Sequence, residues 1–383
     1  MLALVTRLGA ETVVLDVAAG RVLAEPVSAL RDQPPFDSSA MDGWAVRGAA
    51  ETFAIVGESA AGHGYVGALA EGEAVRIFTG APVPAGAERV VIQEEALREG
   101  DRVRVSAPAD GPSFIRPRGG DFRAGAALLG RGARLDPWRL AMAAAAGRAE
   151  LSVVQRPQVV ILSTGEEIVP AGSTPGTEQI FDSAGPALAA LIARWGGEAV
   201  RLTATGDDVE AIASALAGAG GDLIVTVGGA SVGDHDLVKP ALARLGLTLA
   251  VETVRLRPGK QTWFGTLGDG RRILGLPGNP ASALVCAELF LRPVLSAMQG
   301  AEPALKMASA RLAAPLGANG PREHWARARL AWVDGDLLAT AMTDQDSSLV
   351  SIFAEADGLI RLPVGAPAMA AGSVVEVLLL ERL

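Results

Sequence analysis

The fold of this chain is decided by the stretch DLIVTVGGASVGDHDLVKP, residues 222–240. Its residues 223–227 are all apolar or β-branched, a composition typical of a strand that is buried on both faces of a parallel sheet. Glycines follow at once, and a helical pattern begins at Leu237 and continues to Leu245. A buried strand, a glycine-rich loop and a helix in this order predict one strand–loop–helix unit of an α/β sheet.

The glycine loop has the chemistry of a binding site. Gly228, Gly229 and Gly233 allow the backbone to approach a ligand closely, and the start of the following helix offers free N–H groups to an anion. Asp234 and Asp236 lie in the same loop, where they would repel phosphate unless a divalent metal or a cationic group lies between them. The loop therefore predicts a phosphate and metal site. The alternative is a tight turn in which Asp236 caps the helix.

Strands and helices alternate on both sides of this unit. A strand and its loop occupy residues 159–165, and strand patterns occupy residues 199–203, 249–254 and 262–264. Helical patterns occupy residues 186–195 and 208–217, and residues 271–298 contain a strand, a turn and a long helix. This alternation predicts a doubly wound α/β sheet. Before residue 150 and again after residue 300, short apolar runs are separated by turns, which predicts β-rich parts. The predicted fold class is α/β plus β, in several domains.

Composition excludes several functional classes. The chain has 383 residues, 49% of them hydrophobic and 20% charged, which suits several folded domains. A net charge of −9 without a basic block argues against nucleic acid as a partner. No uninterrupted apolar run reaches the length of a membrane helix, and one cysteine and three separated histidines predict neither disulfides nor a zinc site. We expect a cytoplasmic enzyme or binding protein with Cys286 in its core.

Three polar loops follow strands of the predicted sheet, so they meet at the edge where α/β sheets bind ligands. The first loop is STGEE, residues 163–167, the second is the glycine loop, and the third is LPGNP, residues 276–280. In the third loop, Asn279 is placed to cap the last helix and Pro280 to occupy its first position. The turn RPGK, residues 257–260, adds two cations that become candidates to hold a phosphate group.

Carboxylates are concentrated after the same strands. Glu167, Asp207, Asp208, Asp234 and Asp236 fall in these loops, and Asp207 or Asp208 has the alternative role of capping the following helix. Hard oxygen ligands with few histidines favour Mg²⁺ over zinc. The residues alone thus predict a cytoplasmic protein that binds a phosphorylated small molecule with Mg²⁺, and they do not name a reaction.

Seven motifs occur in the order that is found in a known family. They are PPFDSSAMDGWAVR, RIFTGAPVPAGAERVVIQEE, IRPRGGDF, STGEEI, GGASVGDHD, RPGKQTWFG and LPGNPASA. From about residue 15 to the C-terminus, the chain resembles the molybdopterin molybdenumtransferases, the MoeA family that includes the gephyrin E domain. The resemblance implies insertion of molybdate into adenylylated molybdopterin, with Mg²⁺ required and with molybdenum cofactor and AMP as products.

The resemblance also implies an architecture of four domains. These are a split linker domain of residues 1–37 and 119–150, an inserted β domain of residues 38–118, an α/β molybdopterin-binding domain of residues 151–300 and a C-terminal β domain of residues 301–383. Members of the family are homodimers whose active cleft lies between the α/β domain of one subunit and the inserted domain of the other. Further implied partners are a molybdopterin adenylyltransferase and apo-molybdoenzymes, whereas neither nucleic acid nor membrane is expected.

Carried over motif by motif, the roles of the family fall on residues of all four regions. The implied catalytic residues are Glu167, Asp236, Asp42 and Asp121. The implied substrate-binding residues are Thr79, Arg116, Asp207, Gly228, Gly229, Ser231, Gly233, Arg257, Lys260, Pro277, Gly278, Pro280 and Ser347. The implied metal ligands are Glu167, Asp207 and Asp236. Arg257 and Lys260 would hold anionic oxygens, because joining molybdate to a dithiolene brings anions together.

Several positions depart from the family pattern. Ala184 stands where many members have asparagine, Gln261 replaces the usual proline, Trp44 replaces a tyrosine, and Thr253 stands where a lysine is frequent. On a strand, Arg255 would face the same side as Thr253, so we expect it to be able to replace that cation.

Two alternatives to the insertase remain open. A non-catalytic paralogue would bind molybdopterin or a protein partner as a scaffold, and Thr253 and Ala184 favour this hypothesis. A nucleotidyltransferase that adenylylates molybdopterin would share the α/β domain, but the long β-rich insertion and the C-terminal domain argue against it.

Overall fold

The structure is a computed structural model, and it describes residues 1–202, 208–228 and 237–381. The chain separates into two compact units. The larger unit contains Met1–Glu11, Gly20–Val22 and Val154–Leu383, and the smaller unit contains Thr12–Ala19 and Leu23–Val153. The finer division into four domains, with its boundaries near residues 37, 118, 150 and 300, stays a prediction.

The first part of the chain is rich in short strands. Its elements are β1 (Ala10–Val14), β2 (Val27–Ser28), β3 (Ser38–Ser39), β4 (Gly43–Val46), β5 (Thr52–Ser59), β6 (Glu73–Ile77), β7 (Arg89–Ile92), β8 (Ala96–Glu99), β9 (Arg102–Val105), β10 (Ile115–Arg116), β11 (Ala127–Leu129), α1 (Pro137–Ala145) and β12 (Glu150–Val154). Strands β4 to β9 form one sheet in the order β7–β4–β6–β5–β9–β8, and the pairs β1–β12, β2–β11 and β3–β10 form two-stranded sheets. In β9, Val103 and Val105 are buried while the alternating arginines are exposed, which is the period of a half-buried strand.

The larger unit begins with the α/β part. Its elements are β13 (Gln158–Ser163), β14 (Ile168–Val169), β15 (Ile180–Phe181), α2 (Ala184–Arg194), β16 (Glu198–Leu202), α3 (Val209–Gly218), β17 (Leu223–Val227), α4 (Val238–Arg244), β18 (Thr248–Val251), β19 (Leu256–Arg257), β20 (Trp263–Thr266), β21 (Arg272–Leu276), α5 (Pro280–Cys286) and α6 (Arg292–Met298). The central sheet has the order β16–β13–β17–β21–β20–β18. Strand β20 runs antiparallel to both of its neighbours, and the pairs among β16, β13, β17 and β21 are parallel.

Both faces of this sheet are covered, as the doubly wound prediction requires. Val159 and Ile161 of β13 pack in the cluster that contains apolar residues of α2 and α5. Val160 and Leu162 pack on the other face with residues of α3 and α4. All of β17 is buried, which confirms the strand predicted at residues 223–227. Because the chain leaves β13 for β16 on one side and then crosses to β17 on the other, a crevice is expected at the carboxyl ends of β13 and β17.

The long helix Pro280–Met298 lies in the core of the larger unit. By length and composition it could cross a membrane, but 78% of its most apolar window is buried inside the protein, and buried core helices of soluble proteins meet the same criterion. Its two α-helical parts, α5 and α6, flank a π-helical turn at Ala287–Leu291. Pro293 follows this turn, and a proline has no N–H with which to continue the α-helical pattern.

The C-terminal part is a small barrel-like sheet. Its elements are β22 (Met307–Leu312), β23 (Glu323–Val333), β24 (Asp336–Ala341), α7 (Val350–Glu355), β25 (Gly358–Leu362) and β26 (Val374–Leu379). The order β23–β24–β22–β26–β25 closes because β25 also pairs with β23. Strand β19 joins the edge of β23 in parallel, so the RPGK turn of the α/β part is held beside this barrel.

Candidate active site

A cleft of about 1020 Å³ opens at the carboxyl ends of β13, β17 and β21, where the sheet topology predicts a ligand crevice. It is lined by the loops that follow these strands, by the RPGK turn and by a segment of the C-terminal part. The structure brings eight of the predicted site residues together here, namely Glu167, Gly228, Arg257, Lys260, Pro277, Gly278, Pro280 and Ser347.

Glycines allow the loops to meet closely at the floor of this cleft. Gly228 has φ of +88°, and a Cβ added there would lie 2.9 Å from the carbonyl oxygen of Thr164. Gly165 has φ of +132°, and a Cβ there would lie 2.5 Å from Oε2 of Glu167. The side chain of Glu167 therefore folds over a position that only glycine can occupy without moving it.

Asp182 is a cleft residue that we did not predict. Its Oδ1 accepts a hydrogen bond of 2.8 Å from the Gly185 amide at the start of α2, and its Oδ2 lies 3.0 Å from Nη2 of Arg201 and 3.3 Å from Oγ of Ser163. This carboxylate ties the loop after β13 to helix α2. The signal was present in the segment IFDSAG, in which an aspartate precedes a helix by two residues.

The cationic side of the cleft is formed by Arg257, Lys260 and Arg322. Arg322 was also missed, because it lies more than 60 residues from the RPGK turn in the chain and reaches it only through the pairing of β19 with β23. No carboxylate of the described residues forms an ion pair with any of these three side chains. Charge that is not neutralised within the protein remains available to an anionic ligand.

His324 lies beneath these cations and is almost fully buried. Burial, and to a smaller extent the neighbouring charges of Arg257, Arg327 and Arg322, together lower the pKa of His324 to about 4. The imidazole is therefore neutral at neutral pH, so the positive charge of this side comes from arginine and lysine alone.

The RPGK turn is anchored to the core helix. Gly259 has φ of +105°, and a Cβ there would lie 2.2 Å from Sγ of Cys286. The hydroxyl oxygen of Thr262 lies 2.9 Å from the carbonyl oxygen of Gly259 and 3.1 Å from the same sulfur. Burial raises the pKa of the Cys286 thiol to about 12, so it stays protonated. The prediction of a core role for Cys286 is confirmed.

Ser347 reaches the cleft from the segment between β24 and α7. Its Oγ accepts a hydrogen bond of 2.8 Å from Nδ2 of Asn279, and its carbonyl oxygen accepts one of 3.1 Å from the Ala281 amide. Asn279 stands at the N-cap position of α5 and Pro280 is the first helical residue, as predicted. The expected capping by the side chain was wrong, because that side chain makes no cap hydrogen bond and its Nδ2 contacts Ser347 instead.

Only some of the positions that depart from the family pattern lie at the cleft. Ala184 and Gln261 line the cleft, whereas its lining among the described residues includes neither Thr253 nor Arg255. Arg255 is therefore not a cation of the described cleft, and its replacement of the missing lysine stays a prediction. Arg322 is the third cation of the described cleft.

Four predicted residues lie in the smaller unit. Oδ1 of Asp42 accepts hydrogen bonds from the amide of Thr79 at 2.7 Å and from its hydroxyl at 2.8 Å, and these bonds lower the pKa of the Asp42 carboxyl. The structure thus brings Asp42 and Thr79 into contact. Arg116 lies in β10 and is exposed, and Asp121 is exposed in the turn that follows.

The predicted metal site is covered only in part. Asp207, Gly229, Ser231, Gly233, Asp234 and Asp236 lie outside the described residues. Within residues 1–202, 208–228 and 237–381, no group of three or more His, Cys, Asp or Glu side chains is arranged to hold a metal ion. Asp208 caps α3, since its carboxylate accepts from the amides of Glu210 and Ala211 at 3.2 Å, which confirms the alternative role for this residue. Glu167 contributes the hard oxygen chemistry that Mg²⁺ prefers.

The fold and the cleft define a class of protein, an α/β protein with a cationic cleft beside a barrel-like domain. Comparison with known families gives three consecutive matches, to the MoeA N-terminal region (domain I and II) at residues 1–147, a probable molybdopterin binding domain at residues 160–297 and the MoeA C-terminal region (domain IV) at residues 309–380. The chain belongs to the MoeA family.

Relatives support this over the whole length. A molybdopterin molybdenumtransferase of Nostoc sp. is 35% identical over 96% of this chain and 88% of the relative. Molybdopterin molybdenumtransferase 2 of Mycobacterium tuberculosis is 36% identical over 96% of this chain and 94% of the relative. The solved structure of a molybdopterin biosynthesis MoeA protein from Pyrococcus horikoshii OT3 matches with a TM-score of 0.85 and 26% identity, covering 99% of this chain and 97% of that one.

Proposed function

We propose that this chain is an enzyme of molybdenum cofactor biosynthesis, a molybdopterin molybdenumtransferase like the relatives that carry this name. The reaction is the Mg²⁺-dependent insertion of molybdate into adenylylated molybdopterin, with AMP and molybdenum cofactor as products. The observation that supports it best is the cationic side of the cleft, where Arg257, Lys260 and Arg322 converge.

The physical problem in this reaction is charge repulsion. Molybdate is a dianion, and its acceptor carries phosphate and dithiolene groups. Two unit charges about 4 Å apart repel each other by roughly 4 kcal/mol near a protein surface. Cations that are held in place before the ligands arrive offset this repulsion without further reorganisation. The hydroxyl of Ser347, at the same cleft, is a neutral group that can hydrogen-bond to an oxyanion oxygen.

Mg²⁺ would neutralise phosphate oxygens and orient them when it is bound. Glu167 lies in the loop that follows β13 and is the described member of the proposed set of Mg²⁺ ligands. Asp207 and Asp236 are the other two proposed ligands. At Gly228 and Gly278 the two loops of the cleft floor approach each other without intervening side chains. A Cβ on Gly278 would lie 3.4 Å from the Cα of Gly228. Pro277 and Pro280 stiffen the loop on either side of Gly278.

Part of the cleft lining is apolar, and we call this part the apolar lip. Ile168, Ile180 and Phe181 line it, and Ile180 and Phe181 are more than 45% exposed. The small β14–β15 pair holds this lip in place. An exposed aromatic ring beside a cationic cleft suits the flat heterocycles of an adenylylated pterin, which stack on such rings.

We also propose a cytoplasmic homodimer, in which Asp42, Thr79, Arg116 and Asp121 belong to the active cleft through the second subunit. A molybdopterin adenylyltransferase as the supplier of substrate, and apo-molybdoenzymes as acceptors of product, are part of the same proposal. The resemblance to the family motifs supports these points, together with the exposure of Arg116 and Asp121.

The test follows AMP release by the purified protein with adenylylated molybdopterin, Mg²⁺ and molybdate. We expect AMP release that depends on molybdate, and transfer of active cofactor to an apo-molybdoenzyme. Glu167→Ala should abolish this molybdate-dependent AMP release. Glu166→Ala is the matched control, because Glu166 is the neighbouring carboxylate and is not among the described residues that line the cleft.

The outcome separates the competing functions. Binding of the adenylylated substrate without AMP release would favour the scaffold paralogue, and Thr253 and Ala184 would then be the positions to restore. Adenylylation of molybdopterin by ATP without molybdate, with release of pyrophosphate, would favour the nucleotidyltransferase. Equal activity of Glu167→Ala and Glu166→Ala would remove Glu167 from the catalytic set.

A further inference from the structure

Asp182 lies in the cleft at the junction of four elements, and its side chain is only 11% exposed. Oδ1 accepts a hydrogen bond from the Gly185 amide in the first turn of α2. Oδ2 lies 3.3 Å from the hydroxyl oxygen of Ser163 at the end of β13 and 3.0 Å from Nη2 of Arg201 in β16. The backbone amide of Asp182 donates a hydrogen bond of 2.8 Å to the carbonyl oxygen of Val169 in β14. One residue therefore joins β13, β14, β16 and α2.

These contacts close one loop of the cleft at both of its ends. The loop consists of residues 163–169, and we call it the Glu167 loop. Its first residue, Ser163, is bound by the side chain of Asp182, and its last residue is bound by the backbone of Asp182. Between these ends, the carbonyl oxygen of Glu167 accepts a hydrogen bond of 2.7 Å from the Ile180 amide. The backbone of the Glu167 loop is therefore held by Asp182 and by the residue two positions before it.

Capping of α2 alone would not require this arrangement, because a cap uses only Oδ1. Gly185 lies within α2, and glycine inside a helix is less favourable than alanine by about 0.5–1 kcal/mol. A Cβ at Gly185 would overlap Oδ2 of Asp182 and would lie 3.1 Å from Nε of Arg201. Glycine at this position thus makes room for the contact between the carboxylate and the guanidinium, which a helix cap does not need.

The position of the Glu167 carboxylate follows that of its loop. A Cβ on Gly165 would lie 2.5 Å from Oε2 of Glu167, so this side chain lies directly against the backbone of its own loop. A displacement of the loop would carry the carboxylate with it. Groups that hold a ligand have to stay within about 0.5 Å of their working position, and residues behind them supply that precision.

We propose that Asp182 is a positioning residue that, together with Ser163 and Arg201, fixes the Glu167 loop and thereby the place of the Glu167 carboxylate in the cleft. This inference rests on the proposed function, since it takes Glu167 as a ligand of Mg²⁺. Because Oδ2 is paired with Arg201, the charge of Asp182 is directed to that guanidinium. Asp182 therefore acts through Glu167.

The first test compares Asp182→Asn with the wild type. Asparagine keeps an oxygen that accepts from the Gly185 amide, but it loses the charge that holds Arg201. We expect the Kd for Mg²⁺, measured by calorimetric titration, to rise about tenfold or more, as it does when residues that orient a metal ligand are removed. The kcat of AMP release at saturating Mg²⁺ should stay near that of the wild type, because Glu167 is unchanged. An unchanged Kd, or a low kcat that saturating Mg²⁺ does not restore, would overturn the proposal.

Asp136→Asn is the matched control. Asp136 caps α1, where its Oδ1 accepts from the Arg139 amide at 2.8 Å, and its Oδ2 lies 3.2 Å from Nη1 of Arg139. The same chemistry is thus present at a helix start that is not among the described residues of the cleft lining. Asp136→Asn should leave the Kd for Mg²⁺ unchanged. Equal effects of the two asparagine variants would show that the loss at Asp182 is not specific to the Glu167 loop.

Ser163→Ala separates the hold on the loop from the capping of α2. It removes the contact with Oδ2 and leaves the Gly185 amide bound to Oδ1. We expect Ser163→Ala to weaken Mg²⁺ binding as well. The double variant Ser163→Ala/Asp182→Asn should bind Mg²⁺ no more weakly than Asp182→Asn alone, because both changes act on the same contact. Full affinity in Ser163→Ala, or additive losses in the double variant, would overturn the proposal.

Hydrogen exchange supplies a measurement that does not depend on the reaction. Exchange of the Ile180 amide, which donates to the carbonyl oxygen of Glu167, should accelerate in Asp182→Asn and Ser163→Ala and stay slow in Asp136→Asn. If the wild type binds no Mg²⁺, the proposed function fails, and exchange alone decides whether the loop is held: fast exchange in Ser163→Ala supports this, and slow exchange rejects it. If the wild type binds Mg²⁺, fast exchange with unchanged affinity would reject the positioning role, since the loop would then move without consequence for the metal.

Discussion

Arg257 and His324 lie directly opposite each other where β19 of the α/β part pairs in parallel with β23 of the barrel. One residue belongs to a motif of the cleft, and the other is buried behind it. Arg322, two residues before His324 in the chain, is brought to the same cleft by this pairing. The cationic side of the site is therefore a product of two domains of the larger unit joined by one short strand.

The neutral state of His324 predicts a loss of stability in acid. Its pKa is about 4 in the folded protein, below its ordinary value of 6.5. As the pH falls below about 6.5, the unfolded chain takes up a proton that folded His324 does not. The free energy of unfolding should therefore fall by up to about 3 kcal/mol between pH 6.5 and pH 4 through this group.

This expectation is checked by urea unfolding across that pH range. His324→Asn should have a flatter pH dependence than the wild type. His63→Asn is the control, because His63 is exposed and should leave the dependence unchanged. Parallel curves for the wild type and His324→Asn would contradict the assignment.

Removing Arg322 should weaken binding of molybdate. A hydrogen bond to a charged group contributes about 1.5–3 kcal/mol, so Arg322→Ala should raise the Kd by about tenfold or more. Arg322→Lys should have an intermediate effect, because lysine keeps the charge without the planar fork. Arg255→Ala, at an arginine that is not among the described residues of the cleft lining, should match the wild type in the same calorimetric titration. An equal loss in both alanine variants would indicate a nonspecific charge effect.

Gly259→Ala should be more disruptive than its backbone angle alone explains. An L-residue in the left-handed region costs about 1–2 kcal/mol, and here the new methyl group would also meet Sγ of Cys286 at 2.2 Å. Gly270→Ala is the matched control, since Gly270 has φ of +92° and nothing within 4 Å of an added Cβ. Thermal unfolding should rank Gly259→Ala as the less stable variant.

A rescue experiment tests the cause. Adding Cys286→Ala to Gly259→Ala removes the sulfur, so the combined loss of stability should be smaller than the sum of the two single losses. Simple addition of the losses would show that the overlap with Cys286 is not the reason.

Phe181→Ala should weaken binding of AMP to the cleft. Stacking of a base on an aromatic ring contributes about 1–3 kcal/mol, which corresponds to roughly tenfold or more in Kd. Phe181→Trp should keep the affinity, because it keeps an aromatic face. Trp332→Ala is the control, because Trp332 is an exposed aromatic at the end of β23 that is not among the described cleft residues. If Phe181→Ala and Trp332→Ala bind AMP equally well, the apolar lip does not stack the base.

Glu288 and Arg292 should show strong coupling in the core helix. Both are buried, and Nη1 of Arg292 lies 3.3 Å from Oε2 of Glu288, while Nη2 lies 3.1 Å from Oε1 of Glu381. Burial raises the pKa of Glu288, and the nearby Arg292 opposes that shift. Arg292→Met leaves a buried carboxylate without its partner and should cost about 3–5 kcal/mol of unfolding free energy.

The double variant Glu288→Leu/Arg292→Met should recover much of this loss in urea unfolding. The recovery is expected because the cost comes from an unpaired buried charge and not from lost packing. A double variant less stable than Arg292→Met would contradict this account.

Much of the α/β part was predictable because its signals are local. The buried run at residues 223–227 forms strand β17, the pattern from Leu237 forms α4, and Asp208 caps α3 as one alternative foresaw. Hydrophobic periodicity, glycine positions and capping residues act within a few positions of the chain, so they can be recognised without a structure.

The site was predictable only where it follows a strand of the sheet. Glu167, Gly228 and Pro277 could be placed at one edge because the carboxyl ends of parallel strands meet there. Arg322 could not be assigned to the site in this way, because it owes its place to the β19–β23 pair. Asp182 carried a local helix-start signal, but its contact with Arg201 was not predictable from that signal. The side chain of Asn279 was expected to cap α5 locally, whereas in the structure it donates a hydrogen bond to the distant Ser347.

The sequence by itself determined the class of fold, the order of its elements and the family, because periodicity, turns and motifs are properties of neighbouring residues. Only the tertiary structure decided which cations face the cleft, how the Glu167 loop is held and why Cys286 excludes any residue but glycine at position 259. These features depend on contacts between residues that are distant in the chain, and the geometry of such contacts is set by how the sheets and the long helix pack.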